Sequence, residues 1–216
     1  MRLERMTAVM VLATGLLAGG AAFAQTDTAP PDRQPLPPAS DIPRGPKAPL
    51  KPITKKPAEL LPQQKILEGF VGHWKSKMHI NQDNPDAAPA PDVEGTADGK
   101  LIMGGRFVEV SHQGTINGSP FEGLSVLGFD NVINRYVSTW VDNATNGIIH
   151  FIGTYDAAKK QLTMEAHYSD PVSRRLVIAK TVTTLVDAKT WTYDEYISHK
   201  AGDKEVHTST ITFKKD

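Results

Sequence analysis

The chain has 216 residues, which is enough for one domain of ordinary size with terminal extensions. Lys and Arg together number 24, as do Asp and Glu, so the formal charge is zero and no one-sign field attracts nucleic acid. The absence of cysteine excludes disulfides, thiolate metal sites and a cysteine nucleophile. The composition therefore disfavours nucleic-acid binding, and the core alone must stabilise the fold.

The first 24 residues have the pattern of a bacterial export signal. Two arginines precede an apolar run over residues 7–18, and Ala-Phe-Ala at 22–24 supplies the small-x-small pattern that a signal peptidase cleaves. The run is too short to span a bilayer comfortably. We therefore expect residues 1–24 to be a signal peptide and the mature protein to begin at Gln25. The mature protein is expected to be soluble rather than membrane-spanning, and to reside in the periplasm or outside the cell.

Residues 25–62 form a proline-rich segment, in which positions 30–62 hold eleven of the sixteen prolines. Such a composition buries too little apolar surface to offset its ordering entropy, so the segment is predicted to be a disordered linker. Its lysines leave open a second interpretation, a tether to anionic envelope material.

Residues 63–216 begin with a short predicted helical turn at 63–71 and then have the sequence pattern of an all-β domain. Runs rich in Val, Ile, Thr and aromatic residues alternate with turn signals such as Asn117-Gly118, at intervals of roughly ten residues. The expected strands are 74–81, 93–103, 106–116, 121–129, 135–141, 148–155, 161–168, 174–185, 190–199 and 205–213.

The short connections between these strands make sequence neighbours antiparallel. An open sheet of about ten strands would expose unpaired backbone at two edges, and closure into a barrel removes both edges. We therefore predict an antiparallel up-and-down β-barrel with a short N-terminal helical turn. A β-sandwich is the alternative, and it would fill its interior with side chains rather than hold a ligand.

Gly72 and Trp74 flank one residue at the head of the first strand. This G-x-W resembles that of the lipocalins and the wider calycin group, in which the tryptophan packs across the closed end of the barrel and meets a basic residue of the last strand. Further motifs follow: Gly-Gly-Arg-Phe at 104–107, Pro-Phe-Glu-Gly at 120–123, Gly-Phe-Asp-Asn at 128–131, Trp-Val-Asp at 140–142, Gly-Thr-Tyr-Asp at 153–156 and Asp-Pro at 170–171. Together they resemble a bacterial lipocalin-like family of unknown function over about residues 65–215, which implies a calycin-type barrel and no established catalytic residues.

One position departs from that family pattern, which tends to close with an aromatic-x-arginine. Here Phe213 is followed by Lys214 and Lys215. A lysine does not stack as a planar guanidinium does, so we expect no tight contact with Trp74, while Trp74 itself still closes its end of the barrel.

Seven histidines raise the question of a metal or haem site. His73 and His79 share a strand face but lie about 20 Å apart at ~3.3 Å per residue, so they cannot bind one ion. Glu165 and His167 share a face next to a hairpin, where solvated strand positions are the simpler interpretation. No metal site is predicted, and His199 or His207 is the candidate if a single histidine binds haem.

A candidate ligand site follows from the hairpin near Thr145, if Trp140 opposes His150 across it. Asp142 then lies diagonally across from His150, and an Asp–His pair beside an aromatic ring is a plausible polar anchor in an apolar pocket. A surface pair at the barrel rim is the competing interpretation, and a register slip of one residue removes the patch. Trp191, like Trp140, is predicted to line either a pocket or a filled core.

The sequence holds no nucleophile elbow and no phosphate-binding glycine loop before a helix. The leading hypothesis is therefore an exported, non-enzymatic barrel that binds a small apolar molecule. This hypothesis rests on analogy with other barrels of this fold. Three alternatives stay open: a haem-binding barrel, a hydratase or isomerase that uses His150 with Asp142, and an envelope interaction module with a solid interior.

Overall fold

The computed structural model describes residues 59–81, 90–116, 118–170 and 175–216. The predicted signal peptide and the predicted linker up to residue 58 lie outside these residues, as do Asn117 of the expected turn and Pro171 of the Asp-Pro motif. Among the helices of the described part of the chain, none is long and apolar enough to cross a membrane.

The described residues form one 3₁₀ helix and ten strands, and the strand ends lie within two residues of those expected from the sequence. The helix spans Pro62–Phe70. The strands are β1 (Gly72–Ile80), β2 (Val93–Ile102), β3 (Phe107–Ile116), β4 (Ser119–Asp130), β5 (Arg135–Asp142), β6 (Ile149–Asp156), β7 (Gln161–Ser169), β8 (Leu176–Asp187), β9 (Thr190–Ser198) and β10 (Val206–Lys215).

The sheet closes on itself. Every strand pairs antiparallel with its sequence neighbours, and β1 pairs with both β2 and β10. At this seam Trp74 pairs with Ala97 on β2 and with Lys215 on β10. Closure satisfies the backbone groups that an open sheet would expose at its edges. The predicted up-and-down barrel is confirmed, and the β-sandwich alternative is wrong.

Alternation along each strand separates the interior from the outer face, because successive side chains point to opposite sides of a sheet. On β8 the buried row is Val177, Ala179, Thr181 and Thr183, and the residues between them are more exposed. Two threonines in this inward row show that the interior contains polar groups as well as an apolar core.

The 3₁₀ helix covers one end of the barrel, here called the closed end. Leu67 and Phe70 of the helix are buried against the strands. The hydroxyl of Tyr136 on β5 donates to the carbonyl oxygen of Gln63 at 2.7 Å and ties the helix to the barrel wall. The candidate ligand-binding site lies in the barrel interior, between this closed end and the opposite end.

Candidate ligand-binding site

The side chain of Trp74 packs into the closed end. Its side chain is 1 % exposed, and its indole N–H donates to the carbonyl oxygen of Phe70 at 3.0 Å. The expected loss of the contact with the last strand is wrong: Nζ of Lys215 lies 5.1 Å from the Trp74 ring centroid. The ammonium holds this position because it also donates to the carbonyl oxygen of Val71 at 2.9 Å. Gly72 (φ +126°) leaves the space that the Lys215 side chain occupies, since a Cβ there would lie 2.6 Å from Cε of Lys215.

Beyond this plug lies a cavity of about 120 Å³. Its walls are mainly apolar, and aromatic side chains supply about half of this apolar lining: Phe70, Trp140, Phe151, Trp191, Tyr193 and Phe213. A smaller set of polar side chains interrupts these walls: His112, Ser125, Ser138, Thr181 and Thr183. Of the described residues that line the cavity, none is Lys, Arg, Asp or Glu. Apolar walls with a few polar groups are typical of small-molecule sites.

Trp191 forms the part of the wall that adjoins the closed end. Its ring stacks on Phe213, with centroids 3.5 Å apart and planes inclined by 7°. It also meets Phe70 and Trp74 edge to face, at 5.3 and 6.0 Å. The structure therefore places Trp191 both in packed core and on the cavity wall, and its role in binding stays a prediction.

Of the three residues of the candidate ligand site near Thr145, Trp140 and Asp142 contact each other. The Trp140 indole N–H donates to Oδ2 of Asp142 at 2.7 Å, and the ring lines the cavity. Gly123 on β4 makes room for this ring, since a Cβ there would lie 2.4 Å from the indole. Oδ1 of Asp142 accepts hydrogen bonds from the backbone N–H groups of Ala144 and Thr145, at 3.0 and 2.7 Å. Asp142 thus fixes both the indole and the start of the hairpin loop.

His150 does not belong to this group, and the predicted register of the hairpin is wrong by one residue. Trp140 pairs with Ile149, whereas His150 pairs with Thr139 on the outer face and is exposed. The reason is the turn at Asp142, which begins the chain reversal at the end of β5 and moves the centre of the hairpin. A shift of one residue transfers a side chain to the other face of the sheet.

The two histidines proposed for haem also lie away from the interior. His207 is on the outer face, where its ring stacks on Tyr196 with centroids 4.6 Å apart and its Nε2 lies 3.1 Å from Oδ1 of Asp194. His199 follows β9 and is exposed. In the described ranges, no group of three or more His, Asp or Glu is arranged to hold a metal ion.

His112 is the histidine that the sequence interpretation missed. It lies on β3 in the inward row of Val108 and Val110, and its imidazole lines the cavity. The ring meets Trp140 and Phe213 edge to face, at centroid distances of 5.2 and 5.8 Å. Burial lowers the pKa of His112 to about 4, so at neutral pH the ring is uncharged and offers one donor and one acceptor. The alternation along β3 was the available signal.

Glu195 is a second polar group that the sequence interpretation missed. It is 2 % exposed and lies on β9 in the inward row of Trp191 and Tyr193. Its Oε2 lies 3.0 Å from Oγ1 of Thr208, while Oε1 has no hydrogen-bond partner in the described part of the chain. Burial raises the pKa of Glu195 to about 7. Burial, and then the neighbouring carboxyl, raise the pKa of Tyr193.

By its architecture the protein belongs to the class of closed antiparallel β-barrels that have one plugged end and a small interior cavity. Residues 59–215 match the family described as "Protein of unknown function (DUF1579)", and the chain belongs to that family. Membership of a family of unknown function agrees with the resemblance found in the sequence. No curated protein matches the chain.

Two solved structures are similar to the barrel. The S-type phycobiliprotein lyase CPES from Guillardia theta is 13 % identical, with a TM-score of 0.49 over 71 % of this chain and 92 % of the lyase. EF1p2_mFAP2b, solved bound to DFHBI, is 15 % identical, with a TM-score of 0.35 over 71 % of this chain and 98 % of that protein.

Proposed function

We propose that this protein binds one small, largely apolar molecule inside its barrel, and that it does so as a binding protein rather than as an enzyme. The observation that carries the proposal is the interior cavity of about 120 Å³ with its predominantly apolar walls. An envelope module with a solid interior would lack this space.

The size of the cavity limits the ligand to about one ring. An engineered apolar cavity of about 150 Å³ in a small enzyme is known to bind benzene, so a space of this order suits a single ring rather than a tetrapyrrole or a long acyl chain. The two ring nitrogens of His112 are the polar groups next to the largest aromatic surfaces. A one-ring molecule with a single hydroxyl or amino group therefore fits best.

Binding is expected to take place outside the cytoplasm, because residues 1–24 have the pattern of an export signal. Fractionation of bacteria that make the full chain tests this part. A shortened form that begins at Gln25 in the periplasmic fraction supports it, and an uncut chain in the cytoplasm contradicts it.

Titration with one-ring alcohols and phenols, followed by tryptophan fluorescence, tests the binding itself. Two of the three tryptophans, Trp140 and Trp191, line the cavity, so an occupied cavity changes their emission. We expect saturable binding by at least one compound. The absence of any saturable change across the series, up to the solubility limit, would overturn the proposal.

Adjacent positions on β5 supply a matched pair of variants. Ser138 lines the cavity, whereas Thr139 pairs with the exposed His150 on the outer face. Ser138→Phe fills the cavity and abolishes binding, and Thr139→Phe adds the same ring outside and leaves binding intact. Equal loss in both variants would mean that the fluorescence change arises elsewhere than in the cavity.

A further inference from the structure

Among the described residues, Glu195 is a buried carboxyl that forms no ion pair with a cationic side chain. Glu195 faces the interior beside Tyr193, and it pairs across the sheet with Thr181 on β8, which lines the cavity, and with Ser209 on β10. Of the described residues, Tyr193 on its own strand and Tyr168 on β7 are the titratable groups that interact with Glu195, and Asp170, which follows β7, interacts with Tyr168. None of these supplies a positive charge to Glu195.

The contacts of Thr208 are compatible with a protonated Glu195. Oγ1 of Thr208 lies 3.2 Å from the carbonyl oxygen of Glu195 and 3.0 Å from its Oε2. A hydroxyl has one proton, so it can donate to only one of these two oxygens. If Glu195 is protonated, Thr208 donates to the carbonyl and accepts from the carboxylic acid, and both contacts become hydrogen bonds. Burial without a positive partner favours the same neutral form.

Glu195 does not itself line the cavity, but its neighbours Thr181 and Tyr193 do, and the cavity walls suit a positive charge. Faces of aromatic rings attract organic cations, and Trp140, Trp191 and Tyr193 all line the cavity. No lysine or arginine among the described lining residues repels a cation. His112 is neutral in its buried position and adds no repulsion.

We propose that the molecule bound in the barrel is a small organic cation, a one-ring or similarly sized ammonium compound, and that Glu195 is its counter-charge. This inference rests on the proposed function and adds the charge of the ligand to it. The ring of the ligand packs against the aromatic side chains of the cavity. Its ammonium group approaches the carboxyl of Glu195 on β9, the strand between β8 and β10. Glu195 releases its proton to solvent as the cation enters, so the buried charges stay balanced.

Benzylammonium and benzyl alcohol are matched test ligands, since they have the same size and differ in charge. We expect the full chain to bind benzylammonium at least about tenfold more tightly than benzyl alcohol at pH 7.5, because a buried charge pair adds to ring contacts. Tighter binding of benzyl alcohol overturns the inference and leaves the proposed function standing. Failure of both ligands to bind contradicts both proposals.

Proton release supplies a readout that needs no variant. Titration calorimetry in two buffers of different ionisation enthalpy is expected to show one proton released per benzylammonium bound below pH 7. The affinity for benzylammonium then rises about tenfold per pH unit as the pH increases toward that value, since one proton is linked to binding. Benzyl alcohol serves as the control and releases none. Binding of benzylammonium without proton release, at an affinity independent of pH, overturns the role of Glu195.

Glu195→Gln tests the residue directly, with the shape of the side chain retained. It is expected to lower the affinity for benzylammonium at least about tenfold and to leave the affinity for benzyl alcohol unchanged. Circular dichroism establishes that the variant is folded. An unchanged preference for benzylammonium in the folded variant contradicts the proposal.

Discussion

The two ends of the barrel interior are built on different principles. At the closed end, Phe70, Trp74, Trp191 and Phe213 pack ring against ring, and the indole N–H of Trp74 is satisfied by a carbonyl oxygen. Toward the other end the inward rows bring polar groups, and the carboxyl of Glu195 keeps one oxygen without a partner in the described residues. The indole N–H of Trp191 also lacks a partner in the described residues, but a buried carboxyl is costlier than a buried indole because it can ionise, so Glu195 sets the polar end apart from the packed plug.

Removing the plug is expected to produce the largest loss of stability. Trp74→Ala takes the most deeply buried large side chain out of the closed end and leaves a cavity, at a cost of about 3–5 kcal/mol in the free energy of unfolding. Urea unfolding followed by circular dichroism measures this. The outward neighbour variant Lys75→Ala is the control, and a loss below about 1 kcal/mol for Trp74→Ala would mean that the rings do not carry the closed end.

The polar end is expected to respond to pH instead. Burial holds the pKa of Glu195 at about 7 rather than 4.5, so its contribution to stability is full below pH 4.5 and is lost as the pH rises through 7. Burial holds the pKa of His112 at about 4 rather than 6.5, so its contribution is full above pH 6.5 and is lost as the pH falls through 4. Between pH 4.5 and 6.5 the two slopes oppose each other and nearly cancel.

Single variants separate the two slopes. Relative to the wild type, Glu195→Gln is expected to gain about 3 kcal/mol in the free energy of unfolding as the pH rises from 4.5 to above 7, since the titrating acid is gone. His112→Phe is expected to show a gain of similar size as the pH falls from 6.5 to 4. Urea unfolding over this pH range measures both, with Glu165→Gln on the outer face as the control. Differences from the wild type that do not vary with pH would contradict the burial of these groups.

The smallest loss of stability is expected from removing the Lys215 side chain at the closed end. Lys215→Ala removes the ammonium from the Trp74 ring and one hydrogen bond to Val71, with an expected cost of about 0.5–1 kcal/mol. Lys214→Ala, on the neighbouring position, is the control for loss of a surface charge. If the lysine only covered the ring with its aliphatic chain, Lys215→Met would be as stable as the wild type, and only Lys215→Ala would lose stability.

The strands were predictable because their signals are local. On β8 and β9, alternating side chains and bounding turn residues lie within a few positions of each other, and the expected ends differ from the observed ones by at most two residues. The expectation that Trp74 closes the barrel came from the resemblance of Gly72-x-Trp74 to the lipocalin motif, not from spacing alone. The contact of Lys215 was not predictable, because it depends on the Val71 carbonyl, which lies 144 positions away in the chain.

The polar part of the site was beyond the sequence for the same reason. His112 owes its surroundings to Trp140 on β5 and Phe213 on β10, and no spacing within β3 reveals them. His150 was misplaced because one carboxylate, that of Asp142, set where the hairpin turned. Thus local patterns determined the elements, whereas pairing between distant strands determined which side chains face the cavity.

Binding inside the barrel is best tested by a crystal structure of the protein soaked with benzyl alcohol. We expect electron density for one ring between Trp140, Trp191 and Phe213, with its hydroxyl within hydrogen-bonding distance of His112. A cavity that stays empty or holds only water at saturating benzyl alcohol, or a ring found only on the outer face, would contradict it.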